Sequence, residues 1–257
     1  MTSNLGCVGL GVDDVAGLGD LLAELIPAGT ASRQADGSAL YIWSDDSGAR
    51  LTITTDRDGA IDDVTPSYDG KPGAVLAGLT PLHDSVVAAD VVLGDEIATR
   101  LACEVLAPGP VPDAGPAVVT AFGLDVSLHP SESAYLASPA SLLVGDAEDA
   151  EPQGDEEPLR MAAESFLAFG LFGDPAEAEP VARLNGTVLA TRTATGETTG
   201  QAFHAVRVRT VGMEVDVCLA AADHPNAPEP GAVVAGTVYL VADVERPPPR
   251  RRRFGRR

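Results

Sequence analysis

Between residues 201 and 219, apolar and charged positions alternate with a period of two. In QAFHAVRVRT (201–210), Val206 and Val208 fall on one side and Arg207 and Arg209 on the other, the pattern of a half-buried strand. With Val211-Gly212 as the turn into MEVDVCL (213–219), Arg209 lies opposite Glu214 and Arg207 opposite Asp216. The same register sets Val208 against Val215 and Val206 against Val217, giving one apolar and one charged face. Each outward arginine then has a carboxylate partner, and exposed pairs of this kind contribute about 0.2–1 kcal/mol each.

Two further strands flank this hairpin: PVARLNGTVLATR (180–192), followed by the loop TATGETTG (193–200), and PGAVVAGTVYLVADV (230–244). The four-strand meander, with a bend at Asn185-Gly186, resembles a small OB-type barrel. The segment between 220 and 230 is too short for the helix that such barrels place there. A fold of this kind hosts many functions and by itself implies none.

Upstream, LGCVGLGV (5–12) predicts a short apolar strand. Asp13 or Asp14 then caps a helix carrying Val15, Leu18, Leu22 and Leu25 at helical spacing, with Pro27 near its end. ALYIWS (39–44), the turn Asp45-Asp46-Ser47-Gly48 and ARLTITT (49–55) predict a hairpin, extended by AIDDV (60–64). The order resembles the βαβββ module of the vicinal oxygen chelate families, but the metal ligands of those families are missing. SVVAADVVL (85–93) and IATRLACEVL (97–106) predict a second hairpin around Gly94-Asp95-Glu96. PGPVPDAGP (108–116) is a loop, and AVVTAFGLDVSL (117–128) a further strand. No internal repeat stands out.

DAEDAEPQGDEE (146–157) holds seven carboxylates and almost no apolar side chain, which predicts a disordered linker. Pro158 would then start a helix, PLRMAAESFLAFGLF, with Leu159, Ala162, Phe166 and Phe169 near one face. The fold class expected is α+β and predominantly β. An N-terminal α+β domain covers 1–145, with a subdivision near 108–116, and the acidic linker covers 146–157. A helix plus OB-like antiparallel barrel covers 158–245, and a disordered polybasic tail covers 246–257.

Charge sharpens this division. The chain carries 17 Lys+Arg against 38 Asp+Glu, a formal net charge of −21. Arg246, Arg250, Arg251, Arg252, Arg253, Arg256 and Arg257 all lie in RPPPRRRRFGRR (246–257). Residues 1–245 therefore keep ten cations against the 38 acids and stand at −28. Such a body repels phosphate backbones and anionic membranes, and no run of 18 apolar residues predicts a membrane span. Single-strand nucleic-acid binding requires a cationic groove with aromatic platforms. Phe203, Arg207 and Arg209 share a face, but the two arginines are already matched by carboxylates.

Enzyme signatures are weak. Gly9-Leu10-Gly11-Val12-Asp13-Asp14 lacks the third glycine of a dinucleotide turn and sets two aspartates where a pyrophosphate needs the positive helix end. Asp56-Arg57-Asp58-Gly59 with Asp62-Asp63 breaks the EF-hand pattern at Ala60 and Ile61. His83, His129, His204 and His224 have no ligand spacing among them. His83-Asp84-Ser85 has triad residue types in consecutive positions, which seldom converge. Cys7, Cys103 and Cys218, odd in number and far apart, read as buried hydrophobes in a reducing compartment.

No catalytic, cofactor-binding or metal residue is predicted, and no cofactor. The expectation is a cytoplasmic, non-enzymatic interaction protein with protein partners, its seven tail arginines pairing with acidic segments of its own kind. The alternative is nucleic-acid or other polyanion binding through the tail. A third reading, an enzyme with a non-local site, requires a pocket that gathers two histidines and a carboxylate.

Overall fold

The computed structural model describes residues 3–34, 36–106, 113–143 and 159–245. The acidic segment 146–157 and the arginine-rich segment 246–257 lie outside the described residues. Among the described residues the fold is predominantly β, with two sheets.

The first sheet is an antiparallel meander of β1 (Thr30–Arg33), β2 (Ala39–Ser44), β3 (Ala49–Thr55) and β4 (Ile61–Tyr68) in sequential order. The expected hairpin is β2–β3, and its alternation buries Trp43, Leu51 and Ile53. Before it runs α1 (Val15–Ala28), whose N-cap Asp14 accepts from the Gly17 N–H at 2.8 Å. Leu21, Leu22 and Leu25 form its buried stripe. Residues 5–12 do not make the expected strand. Gly6–Val8 form a 3₁₀ turn closed by Gly9 at φ +73°, and the run is apolar because the turn is buried. The strand–helix–strands order of a βαβββ module is therefore not realised.

Among the described residues the second sheet has nine strands. β5 (Ala74–His83), β6 (Val86–Leu93), β7 (Glu96–Val105) and β8 (Ala114–His129) precede the acidic segment. β9 (Ser165–Leu167), β10 (Val181–Thr195), β11 (Ala202–Thr210), β12 (Met213–Ala220) and β13 (Val233–Val244) follow it. A helix α2 (Glu132–Ala137), capped by Ser131, follows β8.

The pairings close two rings that share β8 and β13: β8–β5–β6–β7–β13 and β8–β12–β11–β10–β13. The two halves repeat one plan. In each, the first three strands form antiparallel hairpins and the first strand pairs with the fourth. The third strand then runs parallel to the fourth strand of the other half: β7 with β13, and β12 with β8. The fourth strands, β8 and β13, pair antiparallel over twelve positions. This duplicated topology has no counterpart in an obvious sequence repeat. It also means that β8, read from sequence with the N-terminal domain, shares one continuous core with residues 181–244.

Strand alternation separates the two main cores. Val119 and Ala121 of β8, Val206 and Val208 of β11, and Val238 and Leu240 of β13 point into the rings. Phe122, Phe203, Ala205, Cys218 and Val241 point outward and pack under α1 and the first sheet, against Leu22, Trp43 and Tyr68. A third, small cluster holds Tyr135 over Val233 and Ala235.

The helix expected after Pro158 is replaced by extended chain, β9 and a 3₁₀ turn at Phe169–Leu171. The cause is an open edge. β10 begins six residues before Thr187, the first to pair with β11, and β9 supplies partners for Arg183–Asn185. Asn185, fully buried, ties this contact with an Nδ2–H bond to Ser165 Oγ at 2.8 Å.

Candidate functional site

The β11–β12 register is the predicted one, residue for residue, with Gly212 at φ +72° in the turn. The ion pairs follow it at Arg207–Asp216 and depart from it at Arg209. Arg207 takes both carboxylates of the opposing strand: Nε donates to Glu214 Oε2 at 3.0 Å and Nη1 to Asp216 Oδ2 at 2.9 Å. Arg209 turns away from Glu214 and holds both oxygens of Glu164 at 2.8–3.1 Å. The charged face is also less exposed than alternation alone implies. The 69–73 loop crosses it, with Arg207 donating to the carbonyls of Lys71 at 2.9 Å and Pro72 at 3.4 Å. Gly73 fits there only without a Cβ, which would stand 2.1 Å from Arg207 Nη2 and 2.3 Å from Glu214 O. Burial raises the Asp216 carboxyl above the usual range, and Arg207 partly offsets it.

Other strand arginines are also committed within the fold. Arg50 meets Asp243 at 3.0 Å, and Arg192 donates to the carbonyls of Ser47 and Asp46 at 2.9 and 2.7 Å. Phe203, the one candidate stacking platform, is fully buried edge-on to Tyr68. The geometry brings Phe203, Arg207 and Arg209 onto one face and spends all three on internal contacts.

Beside this face the tips of two hairpins, β6–β7 and β11–β12, meet. Gly212 touches Ala98 so closely that a Cβ would lie 2.3 Å from its Cβ. Between the tips opens a crevice of about 620 Å³, lined mainly by Pro72, Val75, Val92, Leu93, Pro116 and Met213, with Arg209 and Glu214 at its polar side. Leu93 and Ile97 at the β6–β7 tip are 66% and 64% exposed, and Val75 is 45% exposed. Val75 and Leu93 line the crevice together, and exposed aliphatic side chains of this size form a surface that water solvates poorly.

A second cleft, of about 560 Å³, lies between the end of β8 and the 223–229 loop. It gathers Ser127, His129, Asp223, His224 and Glu229. His129 Nε2 is 2.9 Å from Ser127 Oγ. Burial lowers the pKa of His129. Burial also lowers that of His224, with Asp223 opposing and His204 adding to the fall. Both rings are thus held toward the neutral form, as a general base requires. His204 itself is 3% exposed, with Nδ1 bonded to Thr193 Oγ1 and Nε2 to the His224 carbonyl, both at 2.8 Å. Its role is to anchor the loop that carries His224. His83 stands apart, bonded to the Ala178 carbonyl at 2.6 Å.

The seven predicted site residues, Arg246, Arg250, Arg251, Arg252, Arg253, Arg256 and Arg257, lie outside the described residues. Cys7, Cys103 and Cys218 are free and buried, and burial pushes the first two thiols up to about 11 and about 12. Among the described residues no group of three or more His, Cys, Asp or Glu is placed to hold a metal, and no helix is long and apolar enough to cross a membrane. Sequence reasoning missed both clefts. Their residues come from elements far apart in the chain, and the exposed Leu93 and Ile97 look in sequence like ordinary strand residues. No family model, curated relative or solved structure matches the chain.

Proposed function

We propose that this chain is an interaction module whose partners are proteins and whose arginine-rich segment pairs with carboxylates of its own kind. The observation that carries the reading is the fate of Arg207, Arg209 and Phe203. With these three satisfied internally, the folded body offers an apolar crevice and an acidic surface rather than a cationic groove with stacking rings. The body charge of −28 favours the same reading, because the seven segment arginines find abundant carboxylates nearby. The OB-like reading of residues 158–245 is proposed here for the ring β8–β12–β11–β10–β13, which also takes in β8 from before the acidic segment. The cytoplasm is the proposed compartment, supported by three buried free thiols.

The alternative is polyanion binding through residues 246–257. If all seven arginines met phosphates of a duplex, the affinity would fall with salt at a log–log slope of about −6. A fluorescent oligonucleotide titrated with the full chain at 50 and 200 mM salt separates the two. Protein interaction predicts no binding that is lost when the seven arginines become glutamine, whereas segment-dependent, salt-steep binding overturns it.

A second reading, an enzyme, is favoured by the Ser127–His129 contact in a cleft with Asp223 and Glu229. A hydroxyl within 2.9 Å of an imidazole nitrogen is the first half of a nucleophile–base pair once its proton turns from the Ala235 carbonyl, 3.2 Å away, to that nitrogen. Labelling by a fluorophosphonate probe, abolished in Ser127→Ala, would establish it; an unlabelled protein removes it.

A further inference from the structure

The crevice between the two hairpin tips lies beside the point where the chain leaves the described fold. Glu245 N–H donates to the Pro116 carbonyl at 2.8 Å. Pro116 lines the crevice and is the cross-strand partner of Val75. We infer that residues 246–257 return onto this crevice in cis, with Phe254 entering among Val75, Leu93 and Met213 and the adjacent arginines meeting the carboxylates at its border. This rests on the reading that the segment pairs with the chain's own acidic groups, and it names the place.

Three features of the chain and its fold select this occupant. First, the chemistry matches: Phe254 is the one aromatic residue of RPPPRRRRFGRR, and arginines stand on both sides of it. The crevice lining is mainly apolar and includes Glu214, and the β6–β7 turn that follows its Leu93 carries two more carboxylates. Asp95 and Glu96, both exposed in the β6–β7 turn, have no ion-pair partner among the described residues. Glu214 has a side chain 45% exposed. The nearest lining cation, Arg209, is held by Glu164.

Second, the length suffices. Phe254 lies nine positions beyond Glu245, a reach of about 28 Å at the ~3.1 Å per residue of a polyproline-type conformation. That is enough to cross a crevice of 620 Å³ that begins beside Pro116.

Third, attachment favours it. A link of this length holds the segment at an effective concentration on the order of millimolar, and Pro247–Pro249 limit the conformations it must give up.

The test uses the full chain with a photoreactive benzoylphenylalanine replacing Phe254, irradiated at 50 and 500 mM salt, with cross-linked peptides mapped by mass spectrometry. The expected result is a cross-link within the monomer to residues 72–76, 92–98 or 212–214. It should be stronger at low salt, and reduced at least fivefold by Leu93→Ser with Ile97→Ser. Should that variant misfold, Asp95→Asn with Glu96→Gln gives the same test through charge and should weaken the cross-link by at least twofold. Cross-links to residues 146–157 would leave the charge-pairing reading standing and overturn this docking. Cross-links confined to a dimer band would overturn the cis arrangement. No cross-link at either salt concentration overturns the docking outright.

Discussion

Arg207 and Asp216 face one another across β11 and β12 with Nη1 and Oδ2 2.9 Å apart, and Asp216 is only 6% exposed. The pair is the hub of the charged face: the same guanidinium also holds Glu214 and two loop carbonyls. Removing one member strands the other in a site with little water. Arg207→Ala should lower unfolding free energy by about 2–4 kcal/mol, toward the range for breaking a buried pair. Arg207→Met with Asp216→Leu should cost less than Arg207→Ala alone, because no buried charge is left uncompensated. Urea denaturation of the single and double variants checks both.

The glycines supply a graded contrast. Gly73→Ala pushes a Cβ into Arg207 and the Glu214 backbone and should destabilise by about 2 kcal/mol or more. Gly19, inside α1 with nothing within 4 Å of an added Cβ, should behave oppositely: Gly19→Ala should stabilise by about 0.5–1 kcal/mol through helix propensity and reduced unfolded-state entropy. Thermal melts of the two variants should shift in opposite directions.

Glu104 gives the pH dependence. Its carboxyl is pushed above the ordinary glutamate range chiefly by burial and further by Asp63, while Tyr239 and Ser85 hydrogen bonds oppose this. A carboxyl whose folded value is raised binds its proton more tightly in the native state. Its contribution is therefore present below the unfolded value of about 4.3 and is lost as pH rises through the raised folded value. Glu104→Gln should flatten that loss, so the variant gains stability over the parent at pH 7 and little or none at pH 4. Denaturation curves at the two pH values measure the difference.

His129 and His224 should titrate below the ordinary histidine value of 6.5, each mainly because burial disfavours the imidazolium. Their contribution to stability is present above the unfolded value and falls away as pH drops through the lowered folded one. Imidazole shifts followed by NMR between pH 5 and 8 check this, and values at or above 6.5 would contradict the burial of this cleft.

Much of the fold was legible where neighbouring residues decide it. The β2–β3 hairpin and the β11–β12 register follow from period-two alternation and a Gly turn, both local signals. What escaped depends on partners distant in the chain. β5 carries Pro81 and a register shift at Gly78, so its alternation is broken. Residues 165–167 become a strand because β10 has an uncovered edge, which no property of Ser165-Phe166-Leu167 announces. The pairing of Arg209 with Glu164 rather than Glu214 has the same origin, since β9 brings Glu164 within reach. The duplicated strand plan is invisible for a related reason: equivalent sites hold different residues, as where Asp90 faces Arg100 in one half and Arg207 faces Asp216 in the other. The cleft around Ser127 and His224 needed the third dimension altogether.

An acidic folded body that draws its own arginine-rich segment onto itself should change its size with salt. Hydrodynamic radius measured against salt, for the full chain and for a variant with the seven segment arginines changed to glutamine, tests it most directly. The parent should be the more compact of the two at 20 mM salt, and the difference should vanish by 500 mM, as screening shortens the Debye length to a few ångströms. Equal radii at low salt would contradict it.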